Sequence, residues 1–126
     1  MLRWLFGPQS ARTGRAGERK AAALLKKQGY RIVERNWRSP MGEVDIIAVE
    51  DGCLVFIEVK TRSGPAFGDP SEAVGPDKRR KIIQSALWYA NRHRMADTPI
   101  RFDIVSVYRA GRKYHVEILR NAFEAP

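Results

Sequence analysis

Apolar residues recur along this chain with two periods, and each change of period marks an element. From Arg12 to Gln28 the spacing is helical: Ala21, Leu24, Leu25 and Gln28 share one side, with Lys20 and Lys27 opposite. Gly29 stands where a helix C-cap belongs. Tyr30 to Asn36 alternates as a short strand, and Arg38, Ser39 and Pro40 predict a loop. Glu43 to Glu50 and Cys53 to Thr61 are β-rich, with the hairpin dipeptide Asp51-Gly52 between them. Ser63 to Gly75 holds three glycines and two prolines and predicts a loop. Pro76 suits the first position of a second helix running to about Arg94, with Ile82, Ile83, Ala86, Leu87 and Ala90 as its buried face. Arg101 to Tyr108 and Lys113 to Leu119 are strands joined by a turn at Ala110-Gly111. The pattern predicts a single α/β domain over residues 1–126, in the order α-β-β-β-α-β-β, with 1–11 and 121–126 as loose tails.

The hairpin fixes a register. With Asp51-Gly52 as the turn, Glu50 faces Cys53, Val49 faces Leu54, Ile47 faces Phe56, and Asp45 faces Glu58. Side chains alternate along a strand, so Asp45, Glu58, Glu43 and Lys60 share the face of Ile47, Val49, Leu54 and Phe56. The other face carries Val44, Ile46, Val55, Ile57 and Val59. Directly opposed residues have Cβ atoms about 5 Å apart, where like charges destabilise. Two half-buried carboxylates at that distance require a proton or a cation between them. A hard divalent ion, which prefers oxygen ligands, meets the need. Lys60 points the same way and can neutralise charge or steady a water. The bland alternative is a solvated strand end, with Lys60 paired to Glu43 or Glu58. Glu18 is the one acid of the first helix; at about 60° from the centre of its apolar face it can lean over the sheet towards the site, but the pattern alone favours a surface charge.

Charge sharpens this picture. The net charge is +9, but residues 41–69 carry 2 basic and 6 acidic side chains. Residues 1–40 carry 10 basic against 2 acidic, and residues 70–126 carry 11 against 6. Basic flanks suit a polyanion, because phosphate contacts release counterions. An acidic centre adds nothing to phosphate affinity, whereas a cation site needs it. Hydrophobic residues make up 44%, which argues against disorder. The lone Cys53 excludes an internal disulfide framework and a cysteine zinc site. No stretch is long enough to span a bilayer, so the expected location is the cytoplasm. His93 and His115 have no nucleophile motif beside them, which leaves a Ser/His/Asp hydrolase without support. A protein-interaction role through Trp4, Phe6 and Trp88 remains as a rival.

Several stretches resemble the YraN family of small bacterial proteins. They are Gly17-Glu18, Gly29-Tyr30 through Asn36-Trp37-Arg38, Gly42 to Ile47, Val55 to Arg62, Phe67-Gly68, Lys78-Arg79-Arg80 and Arg101-Phe102-Asp103. The likeness covers roughly residues 14–120. It implies a restriction-endonuclease-like fold, a central mixed sheet flanked by helices. The superfamily pattern is PD, a spacer, then (D/E)xK. Asp45 looks like its aspartate and Glu58-Val59-Lys60 like its ExK, while Val44 stands where proline is usual. A helix glutamate ahead of the motif is similar to archaeal Holliday-junction resolvases, which makes Glu18 a site candidate.

The resemblance implies a metal-dependent nuclease. Asp45, Glu58 and the backbone carbonyl of Val59 are the expected ligands of Mg²⁺ or Mn²⁺. Lys60 is the expected water-orienting group, and Glu18 a second-ion or outer ligand. Lys78, Arg79 and Lys81 open the second helix, whose N-terminus also favours phosphate, and with Arg62 they are the expected nucleic-acid contacts. DNA is the expected partner ahead of RNA, no membrane is expected, and a homodimer stays open. The alternative is a binding module that keeps the fold without catalysis.

Overall fold

The computed structural model describes residues 7–63 and 74–125. Seven elements follow in the expected order: α1 (Gly7–Lys27), β1 (Arg31–Ser39), β2 (Gly42–Glu50), β3 (Cys53–Ser63), α2 (Pro76–Arg92), β4 (Ile100–Ala110) and β5 (Lys113–Phe123). The strands form one sheet in sequence order. All neighbours are antiparallel except β3 and β4, which run parallel. A parallel pair needs a crossover, and α2 supplies it.

Two core clusters lie on the two faces of the sheet. Ile82, Ala86, Tyr89 and Ala90 of α2 pack with Ile47, Leu54, Phe56, Phe102 and Ile104. Ala21, Ala22 and Leu25 of α1 pack with Ile46, Val55, Ile57, Val105 and Val107. Both faces of β2 and β3 are therefore covered, as their continuous apolar runs require. Each fully buried large side chain, such as Phe56 or Ile57, contributes about 1.5–3 kcal/mol over an exposed one.

The turns follow local chemistry. Asp51 and Gly52 both take positive φ, +50° and +75°, as a tight hairpin turn demands. Gly29, at φ +98°, closes α1 while Tyr30 N–H donates to the Leu25 carbonyl at 2.9 Å. Arg94, at φ +56°, lies beyond the last turn of α2, and Met95 N–H donates back to Ala90 at 2.7 Å.

Several boundaries differ from the sequence expectation. Residues 7–11 are helical rather than a tail, and residues 1–6 lie outside the described residues. Arg38 and Ser39 continue β1, because they pair with Glu43 and Gly42. The expected tail at 121–126 is largely built in: β5 runs to Phe123, which is buried and stacks on Phe102 at 5.0 Å. Leu87 does not belong to the buried face of α2 and is 53% exposed. Tyr89 takes that role, since Ile82, Ala86, Tyr89 and Ala90 are spaced as one helical stripe.

Candidate active site

The sheet forks at Asp45. The β2–β3 ladder has the expected register from Glu50–Cys53 to Ile46–Ile57, and there it ends. Beyond that rung β2 pairs with β1 alone, down to Gly42, while β3 pairs with β4 alone, out to Ser63. Asp45 and Glu58 are the first residues past the last shared rung, one on each prong.

The fork comes with a change of face. Val44 joins the α2-side cluster and Ile46 the α1-side cluster, so strict alternation fails between them. This corrects the expectation that Val44 and Ile46 share a face. In the ladder to β1, Trp37 pairs with Val44 and Arg35 with Ile46. Asn36 lies between them on β1 with φ +51°, a left-handed residue opposite the point where β2 changes face. The expected direct oppositions of Asp45 with Glu58 and of Glu43 with Lys60 are both absent from the ladder, which ends one rung earlier, and Glu43 instead lies 3.8 Å from Arg38.

Within the fork the carboxylates are held separately. Asp45, 5% exposed, accepts a hydrogen bond from the backbone N–H of Val59 at 2.9 Å. Glu58, 7% exposed, pairs with the ammonium of Lys78 on the first turn of α2. Burial raises the Glu58 pKa, and the charge of Asp45 raises it further, to about 8 despite Lys78 and Lys60. Lys60 is half-buried. Its pKa is lowered, first by burial and then by Lys78, with Arg62 also lowering it and Glu58 and Asp45 opposing. These mutual effects place Asp45, Glu58, Lys60, Arg62 and Lys78 in one electrostatic patch.

Glu18 is buried on α1, on the side that carries Ala21, Ala22 and Leu25. The same helix approaches β3 closely at Gly17, where an added Cβ would stand 2.3 Å from Thr61 Oγ1. Glu18 is therefore not the surface charge its pattern suggested; it is buried on the α1 side of β3, next to the contact between Gly17 and Thr61, whereas Glu58 pairs with Lys78 of α2. Among the described residues, no three His, Cys, Asp or Glu side chains form a group able to hold a metal ion by themselves. The donor set still fits Mg²⁺ or Mn²⁺, which are commonly held by one or two carboxylates, with waters and substrate phosphate completing the shell. Two buried acids that lift the pKa of one of them and draw in a lysine are an arrangement that a divalent cation relieves.

The expected phosphate contacts divide. Lys81 is exposed at the surface of α2, and Arg62 is partly exposed on β3. Lys78 is turned onto Glu58. Arg79 braces structure: its Nε donates to the Val74 carbonyl at 2.7 Å and its guanidinium lies over Phe123.

A second polar cluster, not anticipated from the sequence, ties the hairpin end of the sheet. Asp103 is fully buried and accepts from the Tyr30 hydroxyl at 2.7 Å, Arg101 Nε at 2.9 Å and the Asn121 N–H at 2.9 Å. Arg101 also reaches Glu50 at 2.7 Å, and Arg120 reaches Glu50 at 2.9 Å. Burial and Asp103 raise the Tyr30 pKa, and the hydrogen bond to Arg120 is the main cause that lowers Glu50. Its cations are matched by acids, so this cluster ties β2, β4 and β5 to Tyr30 at the entry to β1. Its signal in the sequence was an Arg-x-Asp pair on one face of an otherwise apolar strand.

Residues 17–107 match the family described as uncharacterised protein family UPF0102. A UPF0102 protein of Desulfosudis oleivorans is 47% identical over 117 residues, covering 93% of this chain and 94% of that one. One from Moorella thermoacetica is 46% identical over 114 residues, covering 89% and 95%. One from Syntrophus aciditrophicus is 43% identical over 116 residues, covering 92% and 91%. A match of this extent, carrying both prongs of the fork, makes the chain a member of the UPF0102 (YraN) family.

Proposed function

We propose that this protein is a metal-dependent nuclease that hydrolyses phosphodiester bonds of nucleic acid, with DNA the preferred substrate. The observation that carries the reading is the pair of buried carboxylates, Asp45 and Glu58, at the open end of a strand ladder with Lys60 beside them. Asp45, Glu58 and the carbonyl of Val59 would hold Mg²⁺ or Mn²⁺. The bound ion supplies phosphate polarisation and a water of lowered pKa. Lys60 orients the attacking water and offsets charge that develops on the phosphate. Its half-buried position beside both carboxylates, where burial lowers its pKa, holds the ammonium close to the reacting phosphate. Arg62 and Lys81 bind flanking phosphates, and Glu18 supports the site from α1. No helix among the described residues is long and apolar enough to cross a membrane.

The alternative is a nucleic-acid-binding module without catalysis. It draws on Lys78 already neutralising Glu58 and on the absence of a three-acid group among the described residues. One screen separates the two: single-stranded, duplex and branched DNA and RNA, each with Mg²⁺, Mn²⁺ or chelator. Cleavage that requires the ion and is lost in Asp45→Asn supports the nuclease. Binding to the same substrates without cleavage under any metal condition supports the module.

A further inference from the structure

Glu58 is rooted on a central strand, and its side chain is only 8% exposed. Its cation partner belongs to a different element. Lys78 projects from the first turn of α2, three residues past Gly75, and its side chain is 28% exposed. The carboxylate is thus fixed, whereas the ammonium reaches it on a flexible four-carbon stem with a way out to solvent. Lys78 also lowers the pKa of Lys60, so the two ammonium groups repel each other within the fork. A divalent ion between Asp45 and Glu58 would meet the Lys78 ammonium at close range, in a poorly solvated place where like charges repel strongly. The ion and the ammonium therefore compete for the same oxygens.

We propose that Lys78 is an exchangeable counterion. It holds Glu58 while the fork lacks metal and leaves when a divalent ion enters. The released ammonium then lies at the N-terminus of α2, beside exposed Lys81, where it binds a substrate phosphate. The inference rests on the metal-dependent reading of the fork and adds a consequence: metal and polyanion bind with positive coupling. By reciprocity each raises the affinity of the other by the same factor.

The test reads Lys78 directly. Lysine acylation of the intact protein, followed by mass spectrometry, measures the reactivity of each amine in chelator and in Mn²⁺. Above pH 8, where Glu58 is ionised in the metal-free protein, Lys78 should react slowly in chelator and several-fold faster in saturating Mn²⁺, while exposed Lys113 on β5 stays unchanged. In Glu58→Gln, Lys78 should react fast in both conditions. A melting curve with Mn²⁺ is recorded on the same samples. If Mn²⁺ raises the melting temperature of the wild type but leaves Lys78 protected, the exchange is wrong and the metal site stands. If Mn²⁺ neither shifts melting nor changes Lys78, the metal reading fails and takes the exchange with it.

Discussion

The carboxylate of Asp45 accepts a hydrogen bond from the backbone N–H of Val59 at 2.9 Å, tying one prong of the fork to the other just past the last β2–β3 rung. The side chain thus has a structural task besides any ligand role, and two substitutions separate them. Asp45→Ala leaves a buried N–H without its acceptor and should cost about 1–3 kcal/mol. Asp45→Asn keeps an acceptor oxygen and relieves the repulsion felt by Glu58, so metal-free stability should be unchanged or higher. Both should lose the stabilisation by divalent ion, about 2.7 kcal/mol for wild type at a hundred times the dissociation constant. Urea unfolding of the three proteins with Mn²⁺ and with chelator decides this. An equal Mn²⁺ response in Asp45→Asn and wild type would remove Asp45 from the ligand set.

Glu58 makes metal-free stability depend on pH. Its pKa in the folded protein is raised from 4.5 to about 8, chiefly by burial. Between those values the folded state keeps a proton that the unfolded chain releases. Its contribution to stability is therefore fully present below about pH 4.5 and is lost as pH rises towards 8. In chelator, wild type should lose stability relative to Glu58→Gln between pH 5 and pH 8. Because the ion competes with that proton, Mn²⁺ should stabilise wild type more at pH 8 than at pH 5. Parallel pH profiles for wild type and Glu58→Gln in chelator would contradict the assignment.

The hairpin was legible because Asp51-Gly52 dictates positive φ at two successive residues, and that turn sets every rung up to Ile46–Ile57. The fork was not legible. A period of two extrapolates a ladder indefinitely, and nothing local in the sequence announces the positive φ of Asn36 or that Val44 joins the other face. Lys78 was readable as a cation near the site but not as the partner of Glu58. That pairing depends on where the crossover sets α2 against β3, a long-range property with no local pattern. Phe123 was misplaced for a similar reason: strand pairing to β4 and stacking on Phe102 come from partners about twenty residues away.

Gly17 offers a test of how α1 is held over β3. A Cβ there would stand 2.3 Å from Oγ1 and 3.2 Å from Cγ2 of Thr61, the residue after Lys60. Gly17→Ala raises helix propensity by roughly 1 kcal/mol, yet the clash forces a shift of α1 or β3, with overpacking costs of typically about 1–3 kcal/mol. The net effect should be destabilising. Thr61→Ala removes the Oγ1 and Cγ2 contacts and leaves only Cβ, at 3.3 Å, so the double variant should recover most of the stability. Thermal melts of the two single variants and the double variant measure the coupling. Additive effects would mean that the helix is not in close contact there.

The basic residues of α2 look alike in the sequence but differ in what they touch, and salt dependence exposes the difference. Lys81 is exposed, while Arg79 is committed to the Val74 carbonyl and the Phe123 ring. Lys81→Gln should therefore weaken nucleic-acid binding equally for all sequences and leave the melting temperature unchanged. Removing one cation from a duplex phosphate should flatten the slope of log affinity against log salt by about 0.9. Arg79→Ala should instead lower the melting temperature, because it strips a hydrogen bond and a cation–π interaction from the start of α2. Fluorescence anisotropy with one labelled duplex, titrated at roughly 50 mM and 200 mM salt, gives the slopes, and calorimetry gives the stabilities. A wild-type affinity that does not change over that fourfold salt range would overturn the electrostatic reading. A lower melting temperature in Lys81→Gln with no change in slope would make Lys81 another brace of the helix instead of a phosphate ligand.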